Sequence, residues 1–172
     1  MNFSIIPGTP KYYKGIVLKE EDLSSAIESL YPMDTDDAIL NWDHHPISMS
    51  YKYDISVNIT DILDLVCFLK RPPPDDLEIS FPSNTFSAVW RLSTDEEGFV
   101  LINAYWRSVV HPEQIPNYET VLNIHRELTI PIALVVEEWS KVLFEVYRAF
   151  CESGVTLSDS FDFQRLEHTL KA

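Results

Sequence analysis

A chain of 172 residues, 45% of them hydrophobic, is long enough for one sizeable core and short for two, so a single domain over residues 1–172 is expected. Its 13 Lys and Arg against 27 Asp and Glu leave a formal net charge of −14. That balance disfavours binding to nucleic acid or to an anionic membrane, whose phosphates are held by clustered Lys and Arg, and points to a basic protein partner. Only 4 glycines are present and no Gly-rich loop could cradle a phosphate, so no cofactor is implied. The longest apolar run, Ile130 to Val136, is far below the roughly 20 residues of a membrane helix. No basic residue precedes the short apolar patch Ile5-Ile6, so no secretory signal is expected and the cytoplasm is the expected location. Cys67 and Cys151 both fall in predicted helices, where free thiols are expected.

In chain order, Asn2 to Ile6 reads as a short strand closed by Pro7-Gly8-Thr9-Pro10, and Tyr12 to Leu18 as a second. Lys19 to Tyr31 reads as a helix on the spacing of Leu23, Ala26, Ile27 and Leu30, with Glu20, Glu21 and Asp22 favoured by the helix dipole at its start. A loop with Asp34, Asp36 and Asp37 follows, then the apolar piece Ala38 to Trp42 and Asp43-His44-His45-Pro46. Ile47 to Ile59 alternates apolar and polar residues and predicts one long strand, after which Asn58 is expected to cap a helix reaching Leu69. Arg71-Pro72-Pro73-Pro74 stops that helix.

Leu77 to Phe81 predicts a strand, and Phe86 to Leu92 with Phe99 to Val109 a hairpin whose turn is Ser93 to Gly98. The second hairpin strand is apolar on both faces, which predicts a central position. Glu119 to Ile130 is read as a strand and a link. Pro131 to Glu152 is the strongest helix signal: Val135, Trp139, Val142, Val146 and Phe150 recur at steps of three and four, with Glu137, Glu138, Lys141, Glu145, Arg148 and Glu152 opposite. Gly154 is placed to end it and Ser160 to Leu170 predicts a last helix. Adjacent antiparallel strands and amphipathic helices give an α+β domain: a mainly antiparallel sheet with helices packed on one face and the long helix 131–152 near the C-terminus.

Catalytic motifs are scarce. Asp43, His44 and His45 offer a metal or hydrolase reading, but neighbouring residues project in different directions and no H-E-x-x-H or paired-Cys spacing supports it. Ser108, Ser140 and Ser153 lack a G-x-S-x-G context. Asp61 and Asp64 share a helical turn and could form a carboxylate pair, although exposed acids at that spacing are usually just solvated. No catalytic residue and no metal site is expected.

Charge is distributed unevenly. Between Glu20 and Leu69 eleven acids face one base, Lys52, and large aromatics including Trp42 lie in the same stretch. Asp34, Asp36, Asp37, Trp42, Asp43, Asp54, Asp61 and Asp64 are therefore the expected partner-binding residues. The run Ser56-Val57-Asn58-Ile59-Thr60-Asp61-Ile62, the pairs Val89-Trp90-Arg91 and Ala104-Tyr105-Trp106-Arg107, and Thr129-Ile130-Pro131 followed by Glu137-Glu138-Trp139 resemble small bacterial immunity proteins. The likeness spans residues 47 to 152. It implies a non-enzymatic inhibitor that neutralises a cognate toxin domain by direct binding. A small hydrolase built on Asp43, His44 and His45, and a self-associating adaptor, remain the alternatives, and a homodimer is left open.

Overall fold

The computed structural model describes residues 2–16, 22–73, 75–112, 121, 124–155 and 161–171. Phe3–Ile6 forms β1 and Leu23–Leu30 forms helix α1. Asp22 is the N-cap of α1, its carboxylate accepting the Ser25 backbone N–H at 2.8 Å and so satisfying one donor the helix cannot. β2 (Ala38–Trp42) and β3 (His45–Met49) meet at the two-residue turn Asp43-His44, where φ is 44° and 72°. A tight I′ hairpin turn demands this left-handed backbone at both positions, and Asp and His tolerate it better than most side chains. With β1 on the other side of β2, these strands make an antiparallel sheet in the order β1-β2-β3.

The strand predicted from Ile47 to Ile59 ends at Met49. A turn of widened helix, Tyr51–Ile55, follows and runs directly into α2, Ser56–Leu69. The Ile55 N–H reaches back five residues to the Ser50 carbonyl at 2.9 Å. Tyr51, Ile55, Ile59 and Ile62 are buried and step by three and four, so the same apolar residues fit both a strand and a helix period. The Asp54 carboxylate favours the helix by accepting the Ser50 backbone N–H at 2.8 Å, closing the first turn. Asn58, expected as the cap, lies inside α2; it is fully buried and neither amide atom has a hydrogen-bond partner among the described residues.

β4 (Asp76–Pro82), β5 (Phe86–Thr94), β6 (Phe99–Val109) and β7 (Glu127–Pro131) form a second antiparallel sheet in sequence order. The fold is α+β as expected, with its strands divided between two sheets; an isolated bridge, Ser48 N–H to the Val110 carbonyl at 2.7 Å, joins β3 to the residue that follows β6. β6 is central, as its composition predicts. Residues 12–16, predicted as strand, are not one: the Tyr13 N–H donates to the Leu30 carbonyl and the Gly15 N–H to the Ser153 carbonyl, each at 3.0 Å. This segment therefore caps the C-terminal ends of two helices instead of pairing with a sheet. Residues 17–21, 119–120, 122–123 and 160 of the predicted elements lie outside the described residues.

The long helix is α3, Ile132–Ser153, ended by Gly154 in the left-handed conformation (φ 75°) that a C-cap requires. Pro131 sits one residue outside it, closing β7. The last helix, α4, covers Phe161–Lys171. Cys67 on α2 and Cys151 on α3 are free thiols.

Val135, Trp139, Val142, Val146 and Phe150 are all buried, as the spacing predicts. Trp139 stacks on Phe81 of β4 (6.2 Å, 15°) and meets Trp90 of β5 at 61°; Trp90 in turn lies 5.0 Å from Trp42 of β2. One element differs. Glu138, expected on the wet face, is buried, and its carboxylate accepts the Ile5 backbone N–H at 2.6 Å while holding Lys141 at 2.7 Å. It thereby satisfies a donor on the free edge of β1 that would otherwise be orphaned. Trp139→Ala should cost about 3–5 kcal/mol, the range for truncating a buried aromatic, and equilibrium urea unfolding followed by fluorescence of the remaining tryptophans measures it.

Candidate protein-binding surface

The eight residues expected to bind a partner separate once folded. Asp34, Asp36 and Asp37 are exposed on the loop between α1 and β2. The Asp36 carboxylate accepts from Thr9 Oγ at 2.7 Å and Asp37 from Ser48 Oγ at 2.5 Å, and none of the three acids forms an ion pair among the described residues. The loop is shaped by its neighbour. Gly8 has φ 69°, and a side chain there would meet the Asp37 carbonyl at 2.7 Å, so only glycine lets the 7–10 turn lie this close.

The other five do not join them as free surface acids. Trp42 is fully buried, an apolar wedge between the two sheets whose indole N–H donates to the His125 carbonyl at 2.7 Å, so it offers nothing to a docking partner. Asp54 is buried. Asp64 is exposed but bound to the Arg165 guanidinium of α4. Asp61, half-buried, has its carboxyl pKa raised, first by desolvation and then by Asp64. Asp43 sits in the β2–β3 turn, 3.9 Å from His125 Nδ1. Around these groups the sequence also brings bases that linear spacing places elsewhere: the Lys11 carbonyl accepts from Thr35 Oγ at 3.0 Å, which lays Lys11 alongside the acidic loop. Lys52, the lone base of the acidic stretch, is spent on the end of α1, its ammonium donating to the Glu28 and Tyr31 carbonyls at 2.6 and 3.2 Å.

Asp54 has a different role. Its carboxylate accepts from Ser83 Oγ, from Thr85 Oγ at 2.6 Å and from the Ser50 N–H, tying the start of the helical segment to the β4–β5 turn. Those three donors favour the ionised form, but desolvation by burial outweighs them and raises the pKa, with Asp37 adding repulsion.

The outer face of the second sheet is the other surface with unusual content. Cross-strand register aligns Glu78, Arg91, Asn103 and Glu127 in one row across all four strands, and Asp76, Ser93, Leu101 and Thr129 in the next. The polar groups are satisfied sideways: Arg91 to Glu78 at 2.7 Å, Asn103 to Glu127 at 3.0 Å, and Ser93 to Asp76. Phe99, Leu101 and Tyr105 of β6 are exposed there, so the second apolar face that predicts a central strand is turned to solvent. A shallow groove of about 420 Å³ runs over Arg91, Leu101 and Tyr105.

Among the described residues no cluster of three or more His, Cys, Asp and Glu could hold a metal ion. His44 is exposed in the β2–β3 turn and His45 starts β3. Among the described residues no helix is long and apolar enough to cross a membrane. No family model, curated protein or solved structure matches this chain. Met33, beside Asp34, is 79% exposed; a single apolar residue between Pro32 and an acid carries no periodic signal, so nothing in the sequence marks it.

The raised pKa of Asp54 has a definite sign. The folded chain holds this proton more tightly than the unfolded chain, so the group's contribution is complete below the ordinary value of 3.8 and is lost as pH rises through the raised folded value. Asp54→Asn removes that titration while keeping an acceptor for the two hydroxyls. The stability of the variant relative to the wild type should therefore increase from about pH 4 towards neutrality, as read by urea denaturation at a series of pH values.

Proposed function

We propose that this protein is a non-enzymatic, acidic binding protein of the immunity or inhibitor type, which neutralises a basic toxin domain by docking on it directly. The observation that carries this reading is the loop of Asp34, Asp36 and Asp37: three exposed carboxylates with no ion pair among the described residues, in a chain of net charge −14. Several other carboxylates are matched locally, as in Glu78–Arg91, Glu145–Arg148 and Glu167–Lys171, while a second exposed acidic group, Asp95, Glu96 and Glu97, stands at the tip of the β5–β6 turn. Unmatched charge on a loop raises the encounter rate with a cation and penalises like-charged competitors, which is the work of an inhibitor that must find its target quickly. The texture of residues 47 to 152 supports the same class.

The loop acids contact Thr9 and Ser48 only through hydroxyls, so their replacement by Ser should change stability by no more than about 0.5–1 kcal/mol. The triple Asp34/Asp36/Asp37→Ser variant should melt close to wild type yet associate more slowly with the partner recovered by affinity capture from the native host. Wild-type association should fall steeply as salt rises through about 0.1 M, where the screening length is about 10 Å, and the variant's should not. A wild-type on-rate indifferent to salt, or a variant that binds as fast as wild type in low salt, would move the interface away from this loop.

A further inference from the structure

Three segments meet at the C-terminal end of α1. The Tyr13 N–H donates to the Leu30 carbonyl, and the Lys52 ammonium donates to the carbonyls of Glu28 and Tyr31; Met33 follows two residues after Tyr31. Each segment carries a large apolar side chain into solvent: Tyr13 is 49% exposed, Met33 79% and Tyr53 43%. Val57, one turn beyond Tyr53 and also exposed, extends the patch. Such side chains are not needed by the core, which is complete without them.

We propose that Tyr13, Met33 and Tyr53 form the apolar anchor of the docking surface, and that its occupant is a cationic protein presenting an apolar recess rimmed by Lys or Arg. The inference rests on the functional reading above and adds where the affinity lies. Asp34, Asp36 and Asp37 follow Met33 on the same exposed loop and Glu28 is exposed on the last turns of α1, so the segment that carries the apolar tip is rich in carboxylates. Of the nearby bases, Lys52 is engaged with backbone carbonyls and Lys14 lies over the Tyr12 ring beside Glu152, which leaves Lys11. An anionic membrane, a nucleic acid or a second copy of this −14 chain would be repelled by that rim; a cationic protein surface would not. Rim charges set the encounter rate, whereas buried aromatic and Met contacts at the centre of an interface slow dissociation. Because hydrogen bonds at the end of α1 already fix the three segments, little ordering remains to oppose binding.

The test uses the full-length chain as bait for a displayed random-peptide library, followed by surface-binding kinetics of the enriched peptides. Enriched sequences should combine Lys or Arg with Trp, Phe or Leu. Met33→Ser and Tyr53→Ser should each accelerate dissociation about tenfold or more without altering the salt dependence of association, while the triple Asp→Ser variant should slow association and flatten that dependence. All variants alter exposed positions, and thermal melts confirm that each remains folded. If dissociation is unchanged in both apolar variants but association collapses in the acidic one, the anchor is wrong and the acidic reading stands. If neither set affects binding of any enriched peptide, both fall. If sedimentation shows a wild-type dimer that Met33→Ser abolishes, the occupant is a second copy and the proposal is overturned.

Discussion

The packing of Trp42, Trp90 and Trp139 is the contact on which the rest of the structure depends. One indole comes from each of the three-stranded sheet, the four-stranded sheet and the long helix, and Trp90 touches both others, at 5.0 and 6.2 Å. Among the described residues one backbone bridge joins the sheets, and their relative placement rests more on side-chain packing than on backbone hydrogen bonds. Large aromatic rings suit this because each buries much surface, and tilted or edge-on contacts favour particular angles where aliphatic contacts would slide. The arrangement has a cost in polar satisfaction. The indole nitrogens of Trp90, Trp106 and Trp139 have no hydrogen-bond partner among the described residues, whereas that of Trp42 reaches a carbonyl. T-shaped packing of Trp90 against Trp106 and Trp139 keeps these groups among aromatic rings, whose faces are weak acceptors.

Two buried carboxylates complete what the aromatic core leaves open. Glu138 closes the free edge of β1, and Asp54 binds the first helical turn to the β4–β5 turn. Both replace what another strand or a conventional cap would supply. Their surroundings differ: Glu138 keeps a cation, Lys141, at 2.7 Å, while Asp54 has only hydroxyl and amide donors. With no cation beside it, Asp54 is dominated by burial, which raises its carboxyl pKa.

Much of the fold was legible in the sequence because the period of the apolar residues and the turn chemistry agreed. In α3 the helical stripe from Val135 to Phe150 and Gly154 at its end specify one answer, and in the β5–β6 hairpin alternation and an acidic turn do the same. The stretch from Ile47 to Ile59 failed for a physical reason. Its apolar residues satisfy a period of two and also steps of three and four, and the decision rests on Asp54 reaching the Ser50 N–H, a local bond that periodicity does not register. Residues 12–16 of the strand predicted from Tyr12 to Leu18 failed differently, since apolar content marked them as strand while the Tyr13 and Gly15 backbone donors are used by the ends of α1 and α3. At the candidate surface, Asp34, Asp36 and Asp37 were legible as exposed loop acids, but Trp42 and Asp54 were drawn into the interior by packing partners more than thirty residues away that no local pattern reveals.

Folding also redistributes the charge that the linear sequence concentrates between Glu20 and Leu69. Asp54 leaves the surface, Asp64 is neutralised by Arg165 from the far end of the chain, and Lys11 is laid against the loop from the other end. Among the described residues of this stretch, what reaches solvent without an ion pair is therefore narrower than eleven acids against one base: Asp34, Asp36 and Asp37 on the loop, with Asp22 and Glu28 on α1. A narrow anionic rim of this kind steers over about one screening length and then contributes little once salt competes, so it selects partners at encounter without holding them. Retention must come from surface that water leaves readily. Tyr13, Met33 and Tyr53 are exposed apolar groups on the segments that carry or adjoin that rim, whereas those of β6 lie on a sheet face whose polar side chains already bond one another sideways. Steering and retention can thus reside on a single patch at the end of α1, because the backbone bonds that finish that helix also bring the acids and the apolar side chains together.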